Sequence, residues 1–260
     1  MSRFRHPETV GLVLAAGQGK RMQSDLAKVL HPMAGRPLLA WVLGTLDELG
    51  VGRTMVVIGH QRERVRAAFA DAEVEWVVQA DPCGTGHAVQ VAAPALAGFG
   101  GTLLVVCGDT PLLRAATLHG LLETHRAAAA AVTVLSMRLP DPTGYGRIVR
   151  DADGAIEAIV EERDASPAVR ALDEVNSGVY AFDYAALAEV LAGLTAHNAQ
   201  GEYYLTDTVE RLRSRGRKTA VECAPDSVEL LGINTPEQLE EAERIHLGLG
   251  PVRKGETDAG

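Results

Sequence analysis

VGLVLAAGQGKRM, Val10 to Met22, is an apolar run that ends in a glycine-punctuated basic loop. Val10 to Ala16 is unbroken apolar and small residues with no polar alternation, which predicts a strand buried on both faces, the habit of a parallel sheet. In such a sheet, ligands bind just beyond the carboxyl ends of the strands. Gly17-Gln18-Gly19 then lets the backbone approach a ligand, and successive N–H groups there can hold an anion. Lys20 and Arg21 add positive charge, and an arginine grips phosphate bidentately. Lys28 follows in the same connection. The loop lacks the Gly-Lys-Ser/Thr of a Walker A motif, and Met22 stands where the dinucleotide fingerprint needs its third glycine. A plain turn with solvated basic residues is the other reading; the place after the first strand favours anion binding.

Outward from this loop, short apolar runs alternate with helical spacing. Thr54–Gly59, Val74–Val78, Thr102–Gly108 and Ala131–Met137 read as further strands, and Pro37–Leu49, Gln61–Phe69, Gly86–Leu96 and Ala115–Arg126 as helices. Pro37 suits a first turn and Gly50 a C-terminal cap. The alternation predicts an α/β protein built from crossover units, with a mostly parallel sheet and helices on both faces. After Pro140 the pattern changes to shorter strands, Gly144–Arg150, Ala155–Glu161 and Val175–Phe182, with a hairpin signal at Asp153-Gly154. Helices are expected at Asp183–Leu194, Thr206–Arg215 and Pro236–His246, the last capped by Thr235.

The chain has 260 residues, 47% hydrophobic and 23% charged, enough for a full core without staples. Acidic residues outnumber basic ones, 34 to 25, for a net charge of −9, which argues against broad binding to nucleic acid or an anionic membrane. The stretch Gly84–Gly108 carries no formal charge, but Gln90, Pro94, Gly98, Gly100 and Gly101 interrupt it, so no membrane span is expected. Three cysteines with no Cys-x-x-Cys fit a reducing cytoplasm and offer neither a zinc knuckle nor a redox pair. MSRFRHPETV has no apolar core, so no signal peptide is expected there.

Three other segments could carry chemistry. Gly108-Asp109 follows the fourth strand directly, and a carboxylate there points into the same crevice as the glycine loop. Mg²⁺ takes a few hard oxygens plus substrate phosphates, so Asp109 is a candidate ligand, or else a turn residue before Thr110-Pro111. In QADPCGTG, Gln79 can read a planar base edge, and Gly84 and Thr85 can bring N–H groups and a hydroxyl to a ligand; the alternative is a helix-entry loop with Thr85 as N-cap. In the second half, Glu161, Asn176, Glu202 and Tyr203 suit hydrogen bonding to sugar hydroxyls, although each alone also fits a loop or cap residue. Asn234 stands just before the last helix. No Gly-x-Ser-x-Gly elbow and no cysteine beside an evident base supports a covalent nucleophile.

Together, QADPCGTGHA, DPTGYGRI, VNSGVY and NAQGEYYLTD, in this order and spacing, resemble the uridyltransferase (pyrophosphorylase) half of the bacterial bifunctional N-acetylglucosamine-1-phosphate uridyltransferase/glucosamine-1-phosphate acetyltransferases, over about Val10 to Leu247. The resemblance implies a Rossmann-like nucleotidyltransferase fold. It implies Mg²⁺-dependent reaction of UTP with N-acetyl-α-D-glucosamine 1-phosphate, giving UDP-N-acetylglucosamine, a cell-wall precursor, and pyrophosphate. On matching positions, the Leu14-Ala15-Ala16-Gly17 backbone and Gly108 would hold the nucleotide, with Gln79 on the uracil and Gly84 and Thr85 lining the pocket. Arg21 and Lys28 would sit on the triphosphate. Gly146, Glu161 and Asn176 would bind the amino sugar, with Glu202 and Tyr203 taken with them, and Asp109 and Asn234 would ligate Mg²⁺. The implied layout is an extension at 1–8 and a nucleotidyltransferase domain at 9–234, with a nucleotide half at 9–139 and a sugar half at 140–234. A C-terminal helix at 235–247 and a disordered polar tail at 248–260 would follow.

Two positions depart from the family pattern. Lys20 stands where a Thr is usual, and Cys107 replaces the Tyr of Tyr-Gly-Asp. The family's hexapeptide-repeat β-helix has no counterpart here, so neither acetyltransferase activity nor its trimer is expected, and the oligomeric state stays open. Other readings are the same chemistry with glucose 1-phosphate and UTP or dTTP, and a nucleotide-sugar-binding domain without turnover.

Overall fold

The computed structural model describes residues 3–249. β1 (His6–Ala15) opens the chain. After a small hairpin of β2 (Pro32–Met33) and β3 (Arg36–Pro37) come α1 (Leu38–Leu49), β4 (Val51–Ile58), α2 (Arg62–Ala68) and β5 (Glu75–Val78). α3 (Thr85–Ala92), β6 (Thr102–Cys107), α4 (Ala115–Ala128) and β7 (Val132–Arg138) complete the alternating part. The second part holds β8 (Arg147–Arg150), β9 (Ile156–Val160), α5 (Pro167–Arg170), β10 (Glu174–Asp183) and α6 (Tyr184–Leu191). α7 (Asp207–Ser214), β11 (Thr219–Cys223) and α8 (Pro236–His246) close the described chain.

The main sheet runs β11-β7-β10-β6-β1-β4-β5, with β8 and β9 as a side branch on β10. Along that path β10 alone is reversed: it pairs antiparallel with both β6 and β7, while β1, β4, β5 and β6 pair in parallel and β11 runs parallel to β7. The mostly parallel α/β sheet is therefore present. Its strands explain the unbroken apolar runs. Leu12, Leu103 and Val105 face one core with Ala88, Leu187 and Val209 of the helices on that side. Val13, Leu104 and Val106 face the other, against Leu39, Val42, Leu46, Leu118 and Leu121. Both faces of each central strand are dry, so no polar alternation survives. A smaller cluster of Met22, Met33, Leu38, Ile233 and Ala242 seats α8 near the hairpin. Among the described residues no helix is long and apolar enough to cross a membrane.

Several boundaries differ from the sequence reading. β1 starts at His6, inside the stretch expected to precede the domain. The His6 N–H donates to Gly50 O at 2.8 Å, and its buried ring hydrogen-bonds His119 at 3.0 Å. α3 starts at Thr85 with Gly84 at the cap, so Thr85 is not the N-cap; its hydroxyl accepts from the Leu205 N–H at 3.1 Å instead. Pro94 turns the end of the expected helix into a 3-10 segment, Ala93–Leu96. β11 was not legible: it is a half-buried edge strand of five residues with no continuous apolar run. Gly50 at φ 72 and the Thr235/Gln238 capping box stand as read. From residue 250 the expected disordered tail lies outside the described residues.

The side branch hangs on Arg147, whose side chain is 2% exposed. It donates to the carbonyls of Tyr145, Arg170 and Leu172 and pairs with Glu162 at 2.7 Å, tying β8 to the turn after β9. Arg147→Met keeps the bulk but strands those acceptors. It should cost about 3 kcal/mol of unfolding free energy, measured by urea denaturation; a loss under about 1 kcal/mol would show that the guanidinium is not what holds the branch.

Candidate active site

The carboxyl edge of β1 and β6 is where the chain brings its charges together. After β1, Gly19 takes φ +62, and a Cβ there would stand 2.7 Å from Lys28 Cβ. The absence of a side chain lets the loop fold over Lys28. The Lys28 ammonium pairs with Asp109 Oδ2 and donates to Asn234 Oδ1 at 2.9 Å. Asn234 arrives because the Ile233 N–H donates to the Asp109 carbonyl at 2.9 Å. The Lys28 and Asp109 side chains are only 14% and 18% exposed, so water and salt screen them weakly.

Beside this triad opens a cavity of about 480 Å³. Leu14, Ala15, Ala16, Gly17 and Lys20 line it from the first loop, Gln79, Gly84 and Thr85 from the second, and Cys107, Asp109 and Glu202 from the remaining sides. Gly108 is not part of the wall; its N–H donates to Leu14 O at 2.9 Å and locks β6 to β1. Gly84, at φ +102, lets the second loop close: a Cβ there would stand 2.6 Å from Tyr203 O. Burial pushes the Cys107 thiol up to about 12, so it stays a thiol and offers no nucleophile.

Arg21 is exposed and lies off the cavity wall, where Lys20 stands instead. Arg21 and Asp109 both act electrostatically on the half-buried Tyr145 hydroxyl, whose pKa is raised by burial first and by Asp109 next. A hydrogen bond from the Gly232 backbone and the charge of Arg21 pull the other way. Tyr145 thus joins the sugar half to the Gly232–Asn234 segment. It lies inside DPTGYGRI, where nothing local marks a tyrosine as facing Gly232, 87 positions away.

Gly146, Glu161 and Asn176 form a second group. The Asn176 N–H donates to Gly146 O at 2.8 Å, and a Cβ on Gly146 would stand 3.4 Å from Glu161 Oε1. Asn176 Nδ2 donates to the Tyr180 hydroxyl at 2.7 Å. Burial pushes the Glu161 carboxyl up, against the hydrogen bond that the Thr206 hydroxyl donates to Oε1 at 3.1 Å. Thr206 was not singled out from the sequence, because its partner is 45 positions away. Glu202 and Tyr203 lie against the second loop, where the Gly86 N–H donates to Tyr203 O at 2.7 Å and the Tyr203 N–H to Cys83 O at 2.8 Å, and the Glu202 charge reaches the Glu161 carboxyl.

Asp109 and Asn234 offer one carboxylate and one amide oxygen around a point that already holds a positive charge. Two hard oxygens suit Mg²⁺, which keeps waters and phosphate oxygens in its remaining positions. Among the described residues no group of three or more His, Cys, Asp or Glu could hold a metal ion. The donor set fits an ion shared with a substrate rather than caged by protein.

A parallel sheet edge with a glycine loop, a largely buried lysine and a carboxylate defines a phosphate-handling enzyme of the nucleotide-transferring class. Residues 11–175 match the MobA-like NTP transferase domain, and the chain belongs to that family; it is a nucleotidyltransferase. It is similar to the "Bifunctional protein GlmU" of Streptomyces avermitilis, 51% identical over 94% of this chain and 51% of that protein. The proteins of that name from Thermobifida fusca and Geobacter metallireducens are 50% and 46% identical, over 90% and 92% of this chain and 50% of each relative. The chain spans about half the length of the curated relatives it matches.

Proposed function

We propose that the chain transfers the uridylyl group of UTP to N-acetyl-α-D-glucosamine 1-phosphate. A sugar-phosphate oxygen attacks the α-phosphorus; the bond from that phosphorus to the bridging oxygen breaks, and pyrophosphate leaves with the electron pair. The nucleophile is already an anion, so no general base is needed. The difficulty is to bring two polyanions together. The observation that carries the reading is that Lys28 joins Asn234 to Asp109, which lines the cavity. Mg²⁺ held by Asp109 and Asn234 would neutralise charge between the phosphates. Lys28, with Lys20 on the wall and Arg21 at its margin, stabilises the charge that builds on the leaving oxygens. The backbone from Leu14 to Gly17 and the Gly84-Thr85 turn hold the nucleotide, and Gln79 faces the base. Gly146, Glu161 and Asn176 take the amino sugar, together with Glu202 and Tyr203. In this reading 9–139 is the nucleotide half and 140–234 the sugar half.

The test is pyrophosphate release across a panel of UTP, dTTP and CTP with N-acetylglucosamine 1-phosphate and glucose 1-phosphate, with Mg²⁺ or EDTA. Turnover confined to UTP, the amino-sugar phosphate and Mg²⁺ is the expected result. Binding of UDP-N-acetylglucosamine without release would mean a non-catalytic domain. Gly146→Ala separates the halves: its methyl would press on Ile159 and Glu161 at 3.1 and 3.4 Å. The KM for the sugar phosphate should rise about tenfold, as for one lost hydrogen bond, with the KM for UTP unchanged. Equal rises in both would remove Gly146 from the sugar site.

A further inference from the structure

We propose that His87 is a positioning residue that, together with the Gly84 carbonyl, fixes which end of the Gln79 amide meets the base, and thereby sharpens the cavity's selection of a pyrimidine that carries an N3–H over cytosine. The inference rests on the reading that Gln79 faces a pyrimidine. Gln79 is 4% exposed and lines the cavity. Its Nε2 lies 3.0 Å from Gly84 O and 3.0 Å from His87 Nδ1. A carbonyl oxygen only accepts, so the amide atom facing Gly84 must be the nitrogen. That nitrogen has two hydrogens; one goes to Gly84 O and the other to His87 Nδ1, which must then be the unprotonated ring nitrogen. Both donors of the amide are spent on the protein. The polar atom left for the cavity is Oε1, an acceptor that makes no hydrogen bond among the described residues.

An acceptor at that place suits the imide N3–H of uracil or thymine. Cytosine presents a lone pair at N3, so two acceptors would face each other in a buried site. Gly84 O alone would hold the amide by one donor. Without His87 the second Nε2 hydrogen loses its partner, and only the repulsion between Oε1 and Gly84 O still opposes the flipped amide, which offers a donor to the base. His87 is held in place because it sits on the first turn of α3, its ring 6.1 Å from that of Tyr203, whose carbonyl takes the Gly86 N–H.

The experiment measures kcat/KM for UTP and for CTP, each with N-acetylglucosamine 1-phosphate and Mg²⁺, in the wild-type chain and in His87→Leu, His87→Ala and His87→Asn. Leucine and alanine remove the acceptor; asparagine can return an oxygen near the place of Nδ1. The UTP:CTP ratio should fall about tenfold or more in the first two variants and stay within about threefold of wild type in His87→Asn. A parallel fall for both nucleotides, leaving the ratio unmoved, would show a merely structural histidine and overturn the proposal. UMP and CMP binding by calorimetry runs beside the kinetics and needs no turnover. If the wild-type chain releases no pyrophosphate yet the UMP:CMP ratio falls in His87→Leu and is kept in His87→Asn, the uridylyl-transfer reading fails and this inference stands. An unmoved binding ratio overturns it whatever the kinetics show.

Discussion

Asp109→Ala abolishes pyrophosphate release, by on the order of a thousandfold or more, while the protein stays folded. Asp109 supplies the one carboxylate beside the Lys28 ammonium and Asn234 Oδ1, so its removal takes away the negative charge expected to hold Mg²⁺. Folding should survive because the structural bond at this position is made by the backbone: the Asp109 carbonyl accepts from the Ile233 N–H, and alanine keeps it. Lys28 retains its bond to Asn234 and some access to water, so no fully buried charge is orphaned. Asp109→Asn isolates the charge, since it keeps the shape and an oxygen; it should fall nearly as far. The readouts are pyrophosphate release at saturating Mg²⁺, a thermal melt, and the wild-type protein in EDTA, which should match the variants. Turnover of Asp109→Ala above a tenth of wild type with Mg²⁺ present would remove Asp109 from the metal role.

Lys28→Ala should lower kcat by about a hundred- to a thousandfold, the usual scale for deleting a preorganised charge. The ammonium is held by two oxygens and the base of its stem is covered by the loop at Gly19, so it costs little reorganisation when charge builds on a phosphate. Water admitted by the alanine variant is mobile and high in dielectric and cannot replace it. Lys28→Arg should not restore the rate, because a longer, planar guanidinium cannot stand as a compact ammonium does between Asp109 Oδ2 and Asn234 Oδ1. The UTP:CTP ratio should remain as in wild type. A variant that kept its kcat and changed only the base preference would place Lys28 at the base and leave the phosphates to Lys20 and Arg21.

Much of the scaffold could be read from particular residues. Val10–Ala16 and Leu103–Cys107 are apolar throughout because both of their faces are buried, and the strands are where the runs are. Gly50 and Thr235 end and begin helices for local backbone reasons, which sequence carries well. The halves of the site were legible too: a loop after β1, a carboxylate after β6, and a Gln and a glycine turn after β5. β11 was missed because a half-buried edge strand has no dry face to impose a pattern. The reading of Thr85 as a cap fails, although Thr85 lines the cavity, because its hydroxyl accepts from the Leu205 N–H, 120 positions away.

By itself, then, the order of residues determined the elements, the class of sheet and the chemical type of each loop, since helix period, apolar runs and glycine turns all act within a few residues. Only the tertiary structure decided that β10 inserts reversed between β6 and β7, that Lys28 meets an asparagine 206 positions away, that Glu202 and Tyr203 back the Gly84 turn, and that His87 takes one end of the Gln79 amide. Burial patterns show that a face is covered and a side chain shows what it can donate or accept. Neither says which distant group completes the pair, because that choice is made by the packing of the whole sheet.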